Sequence, residues 1–444
     1  MPAIESLSHA RSGLWTQLAD ARKQTDEIFA LVKPQFLYER PIAERHRIVF
    51  YIGHLEAFDW NLLNGRVLGR KSFHPEFDRL FAFGIDPVGG GLPSDQPADW
   101  PSLHHVRGYV QGVRDALDES VESALAEENP PRTDGFALTT LLNVAIEHRL
   151  MHAETLAYMF HQLPLAQKIH RNENLQTTSG RLFHQPIQIP AGDATLGLAR
   201  SSGAFGWDNE FESHSVHVPA LAIDKYKVTN GQYLEFLEAG GYQARELWQD
   251  ADWAWKSQQS ISHPAFWKQS GDQWLYRTMF EELPLPTDWP AYVSQAEAKA
   301  YARWKGKALP TEAEWHRAAY GTADGGERSY PWGDSAPAPE LGNFDFERWS
   351  PTSVDAFPQA QSGFGVHDMM GNGWEWTSTE FGPFAGFARF PFYPGYSADF
   401  FDGKHFVMKG GSARTAASML RRSFRNWFQS HYPYMYAGFR CVQR

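Results

Sequence analysis

The sequence predicts a protein of two parts, an N-terminal helical bundle followed by an α+β domain. The chain has 444 residues, which is more than one ordinary hydrophobic core accommodates. Up to about residue 170, apolar residues recur at helical spacing. After about residue 175 this periodicity fades, and short β-like runs alternate with Gly, Pro and Asn. We therefore expect domains at 1–172 and 182–444.

The N-terminal part contains four segments that each carry one apolar stripe, over residues 14–32, 44–69, 103–127 and 135–162. Four helices of this length favour an up-and-down four-helix bundle. Residues 84–101, between the second and third helices, are too rich in Gly and Pro to be helical. A loop of this size in a compact domain is usually functional or disordered.

The C-terminal part shows β-like runs such as PIQIPAG and HSVHVPALAIDKY. Two helices are expected to interrupt them, beginning at Thr229 and Ser294. Both residues carry a hydroxyl group that can cap the first turn of a helix, and both helical patterns end at Gly. The remainder of the chain is therefore predicted to be one irregular α+β domain.

Composition argues against two classes of partner. The net charge is -11 and no basic stripe is present, which argues against a nucleic-acid partner. No apolar run approaches the roughly 20 residues that a membrane span needs. Cys441 is the one cysteine, so no intramolecular disulfide can form, and the N-terminus has no signal-peptide core. We expect a cytoplasmic monomer or weak dimer.

The segment EHRLMHAE, residues 147–154, is the sharpest local signal for chemistry. His148 and His152 are four residues apart in a helical pattern, so both imidazoles project from one face and can reach one metal ion. The alternative is a pair of histidines whose nitrogen atoms are satisfied by carbonyl groups or water. Glu147 and Glu154 are candidates for orienting the imidazoles, or else are solvated helix charges.

His54, inside the second predicted helix, is the candidate for a third ligand. It is surrounded by apolar and aromatic residues, where an imidazole is costly unless its nitrogen atoms are paired. Three neutral imidazoles leave up to three open positions on an octahedral metal ion. This arrangement suits Fe(II) that binds substrate and O2, whereas structural zinc prefers four protein ligands. We therefore predict Fe(II) on His54, His148 and His152.

The motifs GHLEAFDW (53–60) and HRLMHAET (148–155) resemble the DinB-like bundle of the ergothioneine sulfoxide synthases (EgtB type) and ovothiol synthases (OvoA type). The second part resembles the formylglycine-generating-enzyme type of C-type-lectin-like domain. The segments that carry this likeness are KYKVTNGQYLEFL (225–237), ALPTEAEW (308–315), YPWG (330–333), GVHDMMGNGWEWT (365–377), MKGGSAR (408–414) and AGFRC (437–441). Formylglycine generation itself is not expected, because it needs a pair of reactive cysteines.

The resemblance implies an O2-dependent Fe(II) enzyme that joins a chalcogen donor to the imidazole ring of hercynine (N,N,N-trimethylhistidine). The segment SFRNWF (423–428) matches the family segment that holds hercynine. The resemblance thus implies that Asn426 binds the carboxylate end and that Trp427 lies near the trimethylammonium group. The other residues expected to line the substrate site are Arg425, Phe428, Phe384 and Phe83.

Two departures from the family pattern concern the donor and the proton-transfer residue. Relatives that use γ-glutamylcysteine carry arginines in the loop after the second helix, but residues 88–100 here contain no Arg or Lys. The usual catalytic tyrosine aligns with Phe384, and Phe81 and Phe83 occupy the stretch where some relatives have a replacement tyrosine pair. No catalytic residue is therefore assigned.

A donor without carboxylates points to the selenoneine synthase branch (SenA type), which takes a selenosugar. The alternative is an ergothioneine sulfoxide synthase that uses cysteine or γ-glutamylcysteine. Two other classes remain, a non-catalytic lectin-like binding protein and a DinB-type thiol transferase that uses zinc. The three histidines oppose the first class, and the large second domain with SFRNWF opposes the second.

Overall fold

The computed structural model describes residues 2–82, 92–126, 132–133, 136–173, 175 and 185–444. Its contacts divide the chain into two units, Met1–Arg171 and Asn172–Arg444. Helices dominate the first unit, and short strands with helices make up the second. This arrangement confirms the predicted fold class.

The described part of the N-terminal unit contains four long α-helices and one short α-helix, besides short 3-10 and π-helical turns. The α-helices are α1 (Pro2–Phe29), α2 (Ile48–Leu63), α3 (Pro75–Leu80), α4 (Leu103–Ala126) and α5 (Leu138–His161). Helix α2 packs against both α4 and α5, and α1 packs against α5. A two-stranded ribbon, β1 (Arg132–Thr133) with β2 (Phe136–Ala137), precedes α5. None of the described helices combines the length and the apolar character that crossing a membrane requires.

The second helix is shorter than the apolar stripe over 44–69 predicts. Arg47 has extended backbone angles and precedes the first helical residue. At the other end, Asn64–Leu68 form a π-helical turn that stops at Gly69, whose φ of 62° lies in the left-handed region. Glycine adopts that conformation without steric cost, so the helical segment can end at this residue. The predicted apolar stripe therefore extends beyond both ends of α2.

The C-terminal unit contains four α-helices among its described residues: α6 (Asn230–Glu238), α7 (Asp250–Gln258), α8 (Gln295–Trp304) and α9 (Glu312–Tyr320). Thr229 and Ser294 accept hydrogen bonds from the first turns of α6 and α8, as the sequence predicts. Thr311 caps α9 in the same way. Helices α7 and α9 were not predicted from the sequence.

The strands of this unit are short, from two to seven residues. They are β3 (Pro186–Ile189), β4 (Gly192–Leu196), β5 (His214–Val218), β6 (Leu221–Asp224), β7 (Trp267–Ser270), β8 (Gln273–Arg277), β9 (Glu282–Pro284), β10 (Trp374–Glu380), β11 (His405–Lys409), β12 (Asn426–Gln429), β13 (Ala437–Gly438) and β14 (Val442–Gln443). One sheet has the order β12-β11-β10-β13, and a second has the order β14-β6-β3. Strands β7, β8 and β9 form a third sheet, and β4 pairs with β5.

The core of the C-terminal unit surrounds Trp315 of α9, which is fully buried. Its indole nitrogen donates a hydrogen bond of 3.0 Å to Glu375 on β10. Glu375 also accepts two hydrogen bonds from the buried Arg440, at 2.6 and 2.8 Å. Because buried carboxylates are stable only when paired, these contacts fix α9 against the sheet that contains β12.

Candidate metal centre and substrate site

Three histidines from two helices converge in the N-terminal unit. His54 lies on α2, and His148 and His152 lie one turn apart on α5. One ring nitrogen from each histidine lies within 4.8 Å of the corresponding atoms of the other two. The Nε2 atoms of His148 and His152 are 3.2 Å apart. The structure thus brings together all three predicted metal ligands, at a separation from which one ion could be bound.

The ring of His54 is held by a main-chain acceptor. Its Nδ1 atom lies 2.8 Å from the carbonyl oxygen of Phe81, so Nδ1 carries the proton and donates it. Nε2 then carries the lone pair, and it has no hydrogen-bond partner among the residues that the structure describes. Metal-bound histidines usually donate their second ring nitrogen in this way, because the contact fixes the tautomer.

Aromatic rings flank two of the ligands. Phe50 stacks on His54 with ring centroids 4.9 Å apart, and Phe58 stacks on His148 at 3.4 Å. On α2, the residues Phe50, His54 and Phe58 are four apart, so they lie on one face of the helix. These contacts restrict rotation of the imidazole rings and exclude water from the cluster.

The electrostatics of the cluster favour neutral imidazoles. Burial lowers the pKa of His54 to about 4, and the Phe81 carbonyl offsets this effect only in part. The pKa values of His148 and His152 also lie well below their usual range, first because of burial and then because of the neighbouring histidines. Neutral imidazoles are metal ligands. The residues present therefore fit a divalent transition-metal ion.

Glu147 and Glu154 are buried, at 5% and 6% exposure. They are therefore not the solvated helix charges that the sequence left open as one interpretation. Their proposed effect on the orientation of the imidazoles stays a prediction.

The predicted substrate segment forms strand β12 at the edge of the four-stranded sheet. Asn426, Trp427 and Phe428 are each partly exposed. Because successive side chains of a strand point to opposite faces, Asn426 and Phe428 share one face and Trp427 lies on the other. Asn426 uses its side-chain oxygen to accept a hydrogen bond of 2.8 Å from the Trp427 amide.

Trp427 lies in a group of aromatic rings that we call the Trp427 cluster, made of Phe381, Tyr396, Phe400 and Trp427. Phe381 stacks on Trp427 with centroids 4.1 Å apart and an interplanar angle of 5°. Tyr396 contacts it edge-on at 5.3 Å, and Phe400 lies at 5.7 Å. Electron-rich ring faces attract cations, so this cluster is a candidate site for a quaternary ammonium group.

Arg425 is 3% exposed at its side chain and is fully engaged by protein groups. Its Nε donates a hydrogen bond of 2.9 Å to Glu312, and its Nη1 donates to the carbonyl oxygens of Asn209 and Gly382. Its guanidinium carbon also lies 4.1 Å from the centre of the Phe384 ring. These contacts support a role in positioning β12, and direct substrate binding by Arg425 and Phe384 stays a prediction.

The loop after the second helix was predicted to bear on substrate and donor binding. Phe83 lies outside the residues that the structure describes. Asp95, in the described part of the loop, accepts hydrogen bonds from Arg47 at 3.0 Å and from Trp100 at 2.7 Å, and it also pairs with Arg40. Arg40 and Arg47, which contact the described part of this loop, are thus already paired with a carboxylate.

Comparisons with known proteins match each of the two units to a protein family. Residues 172–444 match the sulfatase-modifying factor enzyme 1-like domain, and residues 17–156 match the DinB superfamily. A hercynine oxygenase of Mycolicibacterium thermoresistibile is 31% identical over 443 residues, covering 97% of this chain and 95% of that protein. The chain belongs to the EgtB/OvoA-like superfamily.

Two further relatives support this membership. A hercynine oxygenase of Mycobacterium tuberculosis is 33% identical over 339 residues, covering 76% of this chain and 77% of that protein. Ergothioneine biosynthesis protein 1 of Neurospora crassa is 28% identical over 497 aligned residues, covering 92% of this chain and 55% of the longer protein. The predicted resemblance to the EgtB/OvoA-like superfamily is therefore confirmed.

Some residues around the candidate sites of this EgtB/OvoA-like chain were not predicted from the sequence. Phe50 and Phe58 carry a usable signal, because each is four residues from His54. Phe381, Tyr396 and Phe400 carry none, since they are 27 to 46 residues from Trp427 in the sequence. Only tertiary packing brings these rings together.

Proposed function

We propose that the protein is an O2-dependent Fe(II) enzyme that forms a carbon–chalcogen bond on the imidazole ring of hercynine. One observation carries the proposal: a buried triad of neutral imidazoles in a chain that matches hercynine oxygenases over nearly its whole length. His54, His148 and His152 would hold the iron. Bound ferrous iron would supply the activation of O2 and the redox chemistry that the reaction needs.

The protein residues have separate tasks in this proposal. The Phe81 carbonyl keeps the proton of His54 on Nδ1, so that Nε2 remains a ligand atom. The stacked rings of Phe50 and Phe58 keep water away from the triad. Water exclusion matters because it limits side reactions of a reactive oxygen species.

We propose that β12 binds hercynine. Trp427, supported by Phe381 and Tyr396, offers a ring surface for the trimethylammonium group. Asn426 offers a side-chain amide to the substrate carboxylate. Arg425 would act through its buried pair with Glu312, which anchors the start of β12.

The donor is proposed to lack a carboxylate. Residues 88–100 contain no Arg or Lys, and Asp95 already pairs with Arg40 and Arg47. A selenosugar fits these observations, and the product would be a hercynyl selenoxide. The alternative donor is cysteine or γ-glutamylcysteine, which would give a sulfoxide.

The proposed reaction balances with O2 as the oxidant. One imidazole C–H bond and one Se–H bond break, and C–Se and Se–O bonds form. O2 accepts four electrons, and its two oxygen atoms end in the selenoxide and in water. The need for a reduced metal and a free selenol or thiol fits a reducing compartment, and we propose a cytoplasmic location.

Product analysis by mass spectrometry tests the proposal. The iron-loaded protein is incubated with O2, hercynine and, in turn, a selenosugar, cysteine and γ-glutamylcysteine. We expect O2-dependent formation of the selenoxide, and we expect histidine to be a poorer acceptor because it lacks the three methyl groups. His148→Ala should lose both stoichiometric iron and product, because a ligand is removed.

The possible outcomes distinguish an error in the reaction class from an error in the donor or in the metal. No O2-dependent product with any donor would contradict the proposed enzyme, and so would full iron content in His148→Ala. Faster turnover with cysteine than with the selenosugar would leave the reaction class intact and overturn the choice of donor. Stoichiometric zinc in the active protein, with no requirement for iron, would indicate a thiol transferase instead.

A further inference from the structure

A fully buried arginine joins the two helices that carry the histidines. Arg149 directly follows His148 on α5, and its side chain is 1% exposed. Its Nη2 donates hydrogen bonds to Asp59 at 2.6 Å and to Glu56 at 2.9 Å, and its Nη1 donates to Glu56 at 3.1 Å. Both carboxylates lie on α2, two and five residues after His54. We call these three residues the Arg149 cluster.

The geometry of the Arg149 cluster is sensitive to the relative position of α2 and α5. Arg149 Nη2 also donates to the Leu55 carbonyl oxygen at 3.2 Å, so one guanidinium contacts two side chains and the main chain of α2. A helix rises about 1.5 Å per residue, and a slide of that size would break these contacts. The cluster therefore specifies one register between the two helices.

A second arginine connects the Arg149 cluster to the other long helices. Arg114 on α4 donates hydrogen bonds to Glu56 at 2.7 and 2.8 Å. Arg114 also forms a two-point pair with Asp26 on α1, at 2.7 and 2.8 Å. The carboxylate of Glu56 thus lies between two guanidinium groups, and the ionic contacts reach all four long helices.

A buried ion pair is by itself weak evidence for a gain in stability. Replacement of a buried ion pair by well-packed apolar residues is often neutral or stabilising, because the desolvation of the charges offsets their attraction. The best-attested use of such pairs is to select one arrangement of packed helices. A metal site built from two helices needs that selection, since its ligands must be held within about 0.5 Å.

We propose that Arg149, Glu56 and Asp59 are positioning residues, which set the register of α2 against α5 and so hold His54 and His148 at metal-binding distance. This inference rests on the metal site of the proposed function. It assigns to the cluster an effect on metal affinity and on ligand geometry, in addition to any effect on folding.

Arg149→Lys is the main test. Lysine keeps the positive charge but presents a single ammonium group, which cannot span the two carboxylates and the carbonyl as the guanidinium does. Co(II) serves as the probe, its affinity measured by competition with a chelator and its ligand geometry by visible absorption. We expect a folded variant with about tenfold weaker Co(II) binding and shifted absorption bands.

Arg440→Lys is the matched control. Arg440 is also a fully buried arginine, and it forms a two-point pair with Glu375 at 2.6 and 2.8 Å. Both residues belong to the C-terminal unit, which carries none of the three histidines. Arg440→Lys should lower the stability of the protein but change Co(II) affinity by less than about twofold, because sites that share no partners act independently.

A triple variant keeps the test decisive if Arg149→Lys does not fold. Arg149→Met combined with Glu56→Gln and Asp59→Asn removes every charge of the cluster at nearly constant volume, so folding should be retained. We expect this variant to be folded by circular dichroism and to bind Co(II) about tenfold more weakly than the unmodified protein.

Two results would overturn the inference. One is a folded Arg149→Lys or triple variant with unchanged Co(II) affinity and absorption. The other is an equal loss of affinity in Arg440→Lys, which would show that general destabilisation is enough to weaken Co(II) binding. Failure of the unmodified protein to bind one equivalent of Co(II) would instead contradict the metal site of the proposed function. This result is distinguishable from failure of the inference, which concerns only the variants.

Discussion

At the scale of single residues, Gly53 is a position where the metal site leaves no room for a side chain. It lies next to His54 on α2, and a Cβ atom placed there would meet three ring carbons of Phe81 at 2.6 Å. Phe81 is fully buried and packs against Phe77 and Trp100, so its ring has little space to move. The same residue supplies the carbonyl oxygen that binds His54.

Gly53→Ala should therefore weaken metal binding. Alanine normally favours a helix over glycine, but here overpacking should cost about 1–3 kcal/mol of stability. Displacement of Phe81 should also lengthen its hydrogen bond with His54 and lower Co(II) affinity about tenfold, measured by chelator competition.

Gly108→Ala is the control for this change. Gly108 lies within α4, and a Cβ atom there would meet nothing within 4 Å. This variant should be more stable by about 0.5–1 kcal/mol in chemical denaturation, with unchanged Co(II) affinity. Equal Co(II) affinity in the two glycine variants would show that the Phe81 contact does not support the metal site.

The ligand histidines could be predicted because their positions leave a visible pattern in the sequence. His148 and His152 are four residues apart, and the apolar surroundings of His54 indicate a buried ring. The residues that orient those rings were harder to predict. The Phe81 carbonyl is a main-chain atom without a sequence pattern, and the partners of Arg149 lie 90 and 93 residues away.

At the scale of elements, one carboxylate ties three segments of the C-terminal unit together. Glu327 accepts a hydrogen bond of 2.7 Å from the Thr195 amide on β4 and pairs with Arg422 at 3.0 Å. Its carboxylate oxygen is also 3.5 Å from Nε2 of His316 on α9. Burial alone would raise the pKa of Glu327, but His316, the Thr195 amide and Arg422 lower it to about 2.

This pKa predicts how acid affects stability. The pKa of Glu327 is lower in the folded state than its ordinary value of 4.5, so its contribution is fully present above pH 4.5. The contribution is lost as the pH falls from 4.5 to about 2, and it is on the order of 3 kcal/mol. Glu327→Gln should therefore be less stable at pH 7 and should lose less stability below pH 4.5.

Urea denaturation of the unmodified protein and Glu327→Gln between pH 7 and pH 3 provides the measurement. Glu340→Gln, at an exposed carboxylate of the same unit, is the control and should follow the unmodified protein. Parallel pH curves for the unmodified protein and Glu327→Gln would contradict the assigned role of Glu327.

Element prediction succeeded where a short motif fixes a helix start. Thr229 and Ser294 each precede a helix and are followed three residues later by Gln232 and Glu297, which complete capping boxes. Thr311 and Glu314 form the same motif at α9, so that helix was predictable as well. Several strand segments were predicted too, since PIQIPAG contains β3 and HSVHVPALAIDKY contains β5 and β6. The pairing of the strands was not predicted, because pairs such as β6 with β14 join segments more than 200 residues apart.

At the scale of the whole molecule, the two-part fold class and the superfamily followed from the sequence, because distinct motifs extend over both units. All three candidate ligands belong to the N-terminal unit. A metal ion that binds only the folded protein raises the free energy of unfolding of that unit, by mass action.

Co(II) at a hundred times its dissociation constant should therefore stabilise the protein by about 2.7 kcal/mol. Hydrogen exchange followed by mass spectrometry should show slower exchange in α2 and α5. His152→Ala should show neither effect, since one ligand is missing. The same protection in His152→Ala would indicate that Co(II) binds elsewhere.

The contact between His54 and Phe81 also bears on how such a site changes during evolution. The acceptor is a peptide oxygen, which every amino acid possesses. Residue 81 could therefore be replaced by another side chain that fits beside Gly53, and the imidazole would keep its tautomer. Selection would then preserve the path of the backbone at this point and not the identity of the side chain. A search for invariant side chains would therefore not detect this contact.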